Sequence, residues 1–198
     1  MTSDHGIASS NKHSIESYDL ELSMFQRVAL DEDFDDPNDR YLSQFRAQLV
    51  LAAEEAADRI TVGGASGFYV ALANAWVAGV RPVEVFDSES ESMLQAYEAL
   101  EASGRDFSTL ELIVLEALAV HRDYRGLDLE LHLVRQIVRT APGSLSLVVF
   151  PRWLGRGREA GPEDFLPWSR LGAVPLADSN FLALDVELRN PAIDEGCW

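Results

Sequence analysis

A long apolar stretch, followed by a polar loop and an amphipathic helix, constrains the fold of this chain more than any other segment. From Glu111 to Arg139 the sequence reads ELIVLEALAVHRDYRGLDLELHLVRQIVR. The first part, ELIVLEALAV from Glu111 to Val120, is apolar on both faces, which is typical of a strand inside a sheet with cover on each side. Leucine and valine then recur at helical spacing, so one face of the helix is expected to pack on that sheet. The segment predicts an α/β domain.

The flanking segments predict a mixed sheet whose N-terminal half is antiparallel. From Phe45 to Leu51 apolar and polar residues alternate, which favours a strand, although several of these positions also suit a helix. The run from Arg59 to Trp76 is predicted as a strand that pairs back on it, and its glycines indicate either a bulge with close backbone approach or a flexible turn. Ser144 to Phe150 is predicted as a buried strand that follows the helix in a parallel crossover.

Shorter elements complete the predicted fold. Pro82 to Phe86 is predicted to be extended, and the helix after it is expected to have Asp87 or Ser88 as its N-cap. A short helix is predicted around Phe165 to Leu171. The alternating segment NFLALDVEL, residues 180 to 188, is predicted as the closing strand.

The composition limits the kinds of partner that the protein can have. The chain has 198 residues, which suit one domain, and we expect residues 1–17 to form a flexible N-terminal tail ahead of a domain at 18–198. Tyr18 to Leu30 fits either a strand or an irregular segment. The formal net charge of -17 would repel a phosphate backbone, so nucleic acid is not an expected partner. Without a secretory signal or a stretch that would span a bilayer, we expect a cytoplasmic protein that does not enter membranes.

The sequence does not predict a metal site or a reactive thiol. Asp31, Asp33 and Asp35 have the opening spacing of an EF-hand calcium loop, but Leu42 stands where the bidentate glutamate belongs, which favours a solvated acidic loop. The histidines are scattered along the chain. Cys197 is the only cysteine and lies beside the C-terminal residue, so it is interpreted as an incidental thiol.

The order of these elements resembles that of the GNAT superfamily of acyl-CoA-dependent N-acyltransferases, over roughly Phe45 to Glu187. Two stretches make the resemblance more specific. LEALAVHRDYRG, from Leu115 to Gly126, is similar to the central strand and the start of the cofactor loop, and PWSRLGAVPLADSNFLALDV, from Pro167 to Val186, is similar to the last helix and terminal hairpin. The resemblance implies a single α/β (α+β) domain with a GNAT-like central mixed sheet flanked by helices, and acetyl-CoA or another acyl-CoA as cofactor.

In that superfamily the motif R/Q-x-x-G-x-G/A presents backbone N–H groups to the pyrophosphate of coenzyme A at a helix N-terminus. Here the motif starts at Arg125, and its small positions are occupied by Asp128 and Glu130, which add side chains and negative charge. Both acids would also suit the N-cap and first turn of a helix without a ligand, whereas Arg122 and Arg125 would supply charge for a phosphate. The cofactor-binding residues implied by the resemblance are Leu118, Ala119, Val120, Arg125, Gly126, Leu127, Asp128, Leu129 and Glu130.

Acyl transfer to an amine needs a base and usually an acid. The resemblance implies a carboxylate on the central strand as base, which makes Glu116 the candidate catalytic residue, although a half-buried carboxylate there would also suit a purely structural role. A tyrosine before the R/K-L-G segment often serves as the acid in that superfamily. Here Trp168 precedes the Ser-Arg-Leu-Gly segment, and an indole is not a useful proton donor. His121, at the end of the strand, is expected to be solvated and without a partner.

Two functions fit these residues. The first is a divergent N-acyltransferase that transfers an acetyl or acyl group from acyl-CoA to an amine-bearing small molecule or a basic protein, drawn by the acidic surface. The second is a catalytically inactive GNAT-fold binding or regulatory module that has lost acyl-CoA binding and pairs with a basic partner. Asp128 and Glu130 favour the second function, and a homodimer is compatible with both.

Overall fold

A computed structural model describes residues 18–25, 40–51, 60–87, 90–141, 144–155 and 166–186. The predicted tail, the three aspartates of the acidic loop and the lone cysteine lie outside these ranges. The elements in chain order are β1 (Tyr18–Phe25), β2 (Leu42–Leu51), β3 (Ile60–Ala71), α1 (Leu72–Val77), α2 (Pro82–Asp87), α3 (Glu91–Ala102), β4 (Glu111–Val120), α4 (Leu129–Thr140), β5 (Leu145–Pro151), α5 (Leu166–Ser169), β6 (Val174–Pro175) and β7 (Phe181–Asp185).

The seven strands of the described residues form one sheet in the order β1-β2-β3-β4-β5-β7-β6. Neighbours from β1 to β4 are antiparallel, β4 and β5 are parallel with α4 between them in the chain, and β7 is antiparallel to both β5 and β6. A parallel pair requires such a crossover, which is why an amphipathic helix follows the central strand. The predicted mixed sheet, with its antiparallel N-terminal half, parallel crossover and terminal hairpin, is confirmed.

Helices cover both faces of the sheet, which explains why β4 is apolar throughout most of its length. On one side, called the α4 face, α4 buries Leu133 and Ile137 against residues such as Leu115. On the other side, the α3 face, α3 buries Met93 together with Val114 of β4 and residues of α1 and α2. Burying such apolar side chains contributes about 1.5–3 kcal/mol each. Within the described residues, no helix has the length and apolarity needed to cross a bilayer.

Ser90 caps α3, and the prediction of Asp87 or Ser88 as its N-cap is wrong. Ser90 has an extended backbone, with φ -154° and ψ 157°, and its Oγ accepts a hydrogen bond of 3.2 Å from the backbone N–H of Met93. Asp87 instead ends α2, and Ser88 lies outside the described residues. Several acids and serines in a row gave the sequence more than one plausible cap, and only the backbone angles select one.

Two further segments are helical where the sequence predicted extended chain. Pro82–Asp87 is helix α2, in which Pro82 occupies the first helical position and its fixed φ suits the helix. The run that starts in β3 does not continue as a strand to Trp76, because Leu72–Val77 forms helix α1. Leu72 and Ala75 are the buried residues of α1, a spacing that places both on one side of a helix.

β3 runs without interruption from Ile60 to Ala71, so the bulge and close approach are confirmed and a flexible turn within it is wrong. Ser66 pairs with Ala117 and Gly67 pairs with Leu115, which leaves the intervening residue of β4 without a partner in β3. A Cβ atom added at Gly67 would lie 2.0 Å from the backbone oxygen of Val114. Glycine is therefore required where β3 passes the bulge.

Tyr69 links β3 to the start of β5. Its hydroxyl lies 3.3 Å from the Oγ of Ser144. Burial, followed by the hydrogen bond and negative charge of Glu111, raises the pKa of Tyr69 to about 12. The neutral phenol is thus favoured in the folded protein.

This shift predicts a specific loss of stability at high pH. The folded pKa lies above the ordinary value of 10.0, so the contribution of Tyr69 is fully present below about pH 10 and is lost as the pH rises towards 12. We expect Tyr69→Phe to flatten the fall in unfolding free energy over this interval, measured by urea denaturation at a series of pH values. Ser144→Ala keeps the phenol and should retain the fall. Equal slopes for the two variants would contradict the assignment.

Candidate active site

The bulge in β4 places Glu116 on the α3 face of the sheet. Its Oε1 accepts a hydrogen bond of 2.7 Å from the hydroxyl of Ser90, the same hydroxyl that caps α3. The side chain is half-buried, and its other oxygen has no hydrogen-bond partner among the described residues. A carboxylate held by one oxygen and open at the other has the arrangement that a general base needs.

The parallel strands β4 and β5 part directly before Glu116. Their pairing covers only Glu111 to Val114 of β4, whereas the last residues of β5, Phe150 and Pro151, pair with β7. From Leu115 onward, therefore, β5 is not paired with β4. Backbone N–H and C=O groups along such an edge can pair with the amide groups of an extended ligand.

The turn that follows β5 lies close to β4 and α4, and this narrows the opening where β4 and β5 part. Gly155 has φ 78°, and a Cβ atom added to it would lie 3.0 Å from Cδ2 of Leu118 and 3.7 Å from Cγ of Glu130. Leu154, just before it, is buried in the core of the α4 face. Two residues implied to bind the cofactor therefore lie close to the backbone of this turn.

The loop between β4 and α4 retains a glycine-like backbone without the motif glycines. Arg125 is extended, Gly126 has φ 83°, and Asp128 has φ 55° and ψ 23°. Left-handed angles of this kind are natural for glycine and are tolerated by aspartate better than by most residues. Asp128 thus adopts the conformation favoured by the glycine that the motif has at its position.

The side chain of Asp128 pairs with Arg170 instead of capping α4. Asp128 occupies the N-cap position of α4, as predicted, but its Oδ2 accepts a hydrogen bond of 2.7 Å from Nη1 of Arg170 and it makes no capping hydrogen bond. The left-handed backbone of Asp128 accounts for this, since a capping residue normally has extended angles. Arg170 was not a sequence candidate, although it lies in the R-L-G segment.

The charges around the start of α4 are more balanced than the sequence suggests. Asp128 is paired with Arg170, with both side chains more than half exposed, so the pair adds little to stability. Arg125 is exposed and has no ion pair among the described residues. Nε of Arg122 lies 3.5 Å from Oδ1 of Asp123. Arg125 and Arg170 thus accompany Asp128 and Glu130, the two acids at the small positions of the motif.

The other residues implied to bind the cofactor follow one path from the end of β4 to α4. Leu118, Val120 and Leu129 are buried in the core of the α4 face, so only their backbone groups would be available to a ligand. Ala119 and Gly126 are exposed, and Leu127 packs partly against the same core. Their role in binding stays a prediction.

Trp168 is a core residue. It is 1% exposed and packs edge to face on Phe150, with ring centroids 5.1 Å apart. Its indole Nε1 is buried and has no hydrogen-bond partner in the part of the chain that the structure describes. This placement gives the ring a packing role, and nothing in its chemistry replaces a tyrosine acid.

An open groove of about 600 Å³ lies on the α3 face beyond the reach of the helices. Its floor runs across β2, β3 and β4, and His121 stands at its end. His121 is exposed but has a partner, contrary to expectation: its Nδ1 accepts a 3.5 Å hydrogen bond from the backbone of Asp123 and lies 3.6 Å from that carboxylate. Within the described ranges, no three histidine, cysteine or acidic side chains are grouped to hold a metal.

The sheet order, the parted strands and the loop at the start of α4 follow the order of elements that the sequence resemblance implies. No family model matches the chain, and no curated protein matches it significantly. Among solved structures, the chain is similar to a mutant of the AtaT toxin bound to the C-terminus of the antitoxin AtaR and acetyl-CoA, with 11% identity, a TM-score of 0.45, and coverage of 87% of this chain and 95% of the other. A KacTA–DNA complex matches with 13% identity, a TM-score of 0.44, and 86% and 95% coverage.

Proposed function

We propose that the protein is a divergent N-acyltransferase that uses acetyl-CoA or another acyl-CoA and has Glu116 as its general base. The observation that carries this proposal is the position of the Glu116 carboxylate. A bulge turns it to the α3 face, Ser90 donates a hydrogen bond to one oxygen, and the other oxygen has no hydrogen-bond partner among the described residues where β4 and β5 part. A purely structural carboxylate would be expected to have both oxygens satisfied.

The reaction requires one proton transfer to the protein. The acceptor arrives as an ammonium ion, and Glu116 takes a proton from it so that the nitrogen lone pair can attack the thioester carbonyl. The C–N bond forms as the C–S bond breaks, and a second proton leaves the nitrogen for solvent. The thiolate of coenzyme A then takes a proton from water, because the indole of Trp168 is buried and is not an acid.

The residues at the start of α4 would hold the pyrophosphate. The left-handed backbone of Asp128 keeps the loop in a glycine-like conformation, and the N–H groups of the first helical turn favour an anion. Arg125 and Arg170 would add positive charge. Asp128 opposes this by adding a carboxylate, which weakens the site without changing the fold of the loop.

A second candidate is supported by the turn at Gly155. Leu118 and Glu130 lie so close to its backbone that an added Cβ atom would meet both, which narrows the opening in which an extended cofactor would lie. If the opening stays narrow in solution, the protein is a non-catalytic binding or regulatory module with a basic partner. Acetyl-CoA binding therefore separates the two candidates.

We expect acetyl-CoA to bind weakly to the native chain and about five- to tenfold more tightly to Asp128→Gly, by isothermal titration calorimetry. Glycine preserves the left-handed backbone, removes a negative charge and releases Arg170; one exposed charge contact is worth about 1 kcal/mol. Asp128→Ala removes the same charge but strains the loop, so its gain should be smaller. Ala177→Gly, at the other positive-φ residue that is not glycine, is the matched control and should not change affinity.

The same titration tests the proposed function. Binding to the native chain or to Asp128→Gly, together with release of free thiol when amines are added, supports the acyltransferase. Failure of both proteins to bind acetyl-CoA would exclude it and favour the non-catalytic module.

A further inference from the structure

Arg46 is a cation on the floor of the groove that has no partner among the described residues. It lines the groove from β2, its side chain is exposed, and it makes no hydrogen bond or ion pair with any described residue. The chain has a formal net charge of -17, so carboxylates that could form an ion pair with an arginine are abundant in it. Arginine presents a planar fork of donors that matches a carboxylate, so an unpaired one in a concave site is a candidate for recognising an anion.

The sheet register places Arg46 in the same row as Ala117, the residue that follows Glu116. Arg46 pairs with Ser66 on β3, and Ser66 pairs with Ala117 on β4, next to the bulged Glu116. Two strand spacings separate the ends of this row, so the Cα atoms of Arg46 and Ala117 lie about 10 Å apart. The long arginine side chain shortens the span between the charged groups. One small molecule with an anion and an amine would therefore reach from one to the other.

The floor between these charges carries only small side chains. Gly64 and Ser66 of β3 lie beside Ala117 and Ala119 of β4, and all four line the groove. The backbone of β2 lies close to Gly64, since a Cβ atom added at Gly64 would lie 3.1 Å from the backbone oxygen of Ala47. A flat apolar group would rest on this floor without displacing any large side chain.

We propose that the groove binds a small amine that also bears a carboxylate, of the amino-acid type, with Arg46 holding the carboxylate. Its amine would face Glu116, and this part of the proposal rests on the proposed acyltransferase function. A carboxylate fits better than a phosphate monoester, because Arg46 is one positive charge and Nδ1 of the neighbouring His121 already accepts a hydrogen bond from the backbone of Asp123. The groove is thus selective against polyamines, even though the whole surface is acidic.

Binding of three probes tests the carboxylate end without requiring catalysis. L-phenylalanine carries both charges, L-phenylalaninamide lacks the carboxylate, and 3-phenylpropionate lacks the amine. We expect phenylalanine and phenylpropionate to bind the native chain at least tenfold more tightly than the amide, measured by NMR titration. Arg46→Gln should remove that preference. Arg139→Gln, which makes the same charge change at the end of α4 on the opposite face, should not.

The outcomes separate this inference from the proposed function. Equal binding of acid and amide, an unchanged preference in Arg46→Gln, or no binding of any probe at millimolar concentration would overturn the carboxylate site. Carboxylate binding that depends on Arg46, in a protein that transfers no acyl group, would uphold the site and refute the acyltransferase. Transfer to phenylalaninamide as efficient as transfer to phenylalanine would refute the carboxylate site and uphold the acyltransferase.

Discussion

Glu116→Gln is expected to lower acyl transfer by about 10²–10⁴-fold, the usual contribution of a general base, while the protein stays folded. Glutamine has nearly the same shape and can still accept the hydrogen bond from Ser90, so α3 and the bulge should be preserved. It cannot accept the ammonium proton of the acceptor. The measurement is the steady-state rate of thiol release from acetyl-CoA with a saturating amine, alongside a thermal melt.

Ser90→Ala is the matched control for this prediction. It keeps the carboxylate but removes the hydroxyl that both orients Glu116 and caps α3. We expect a loss of about 1 kcal/mol in stability and a much smaller loss of rate than in Glu116→Gln. An unchanged rate in Glu116→Gln would remove Glu116 from catalysis.

Gly67→Ala is expected to destabilise the protein by at least about 3 kcal/mol, at the upper end of what overpacking costs. The added Cβ would lie 2.0 Å from the backbone oxygen of Val114 and 3.0 Å from Cα of Leu115. Both atoms belong to the central strand, so they cannot yield as a flexible side chain would. Because β3 and β4 would have to separate at the bulge, we also expect Glu116 to lose its position.

Gly64→Ala, in the same strand, is the comparison for this effect. Its Cβ would lie 3.1 Å from one backbone oxygen, so a shift of a few tenths of an ångström would suffice and the cost should be about 1 kcal/mol. Urea denaturation of both variants measures the difference. If Gly67→Ala folds but is inactive, a thermal melt and acetyl-CoA titration show whether cofactor binding survives. Similar stability for both variants would contradict the requirement for glycine at the bulge.

The sequence predicted the sheet and the helix of the crossover well, because their apolar patterns are long. β4 was predicted with the observed bounds, Glu111–Val120, and the stripe of leucine and valine after it corresponds to α4. Short elements were predicted poorly. A six-residue helix such as α1 or α2 has too few positions for a periodic pattern to distinguish it from extended chain.

The candidate site was predictable in outline, but its contacts were not. Glu116 was recognised from its place on the central strand, yet its hydrogen bond to Ser90 joins residues far apart in the sequence. The same holds for Asp128 and Arg170, which are 42 positions apart. Neither Arg46 nor the groove was predicted, because a single arginine in an alternating strand is typical of an ordinary solvent-facing residue.

The left-handed backbone of Asp128 has a consequence for how this site can change over generations. Glycine and aspartate codons differ at one nucleotide, and the loop has the same dihedral angles available with either residue. Under the proposed function, a population could therefore move between weaker and stronger cofactor binding in one mutational step. Selection of random variants of this chain for growth that depends on acyl transfer should recover Asp128→Gly early, before changes that remodel the sheet.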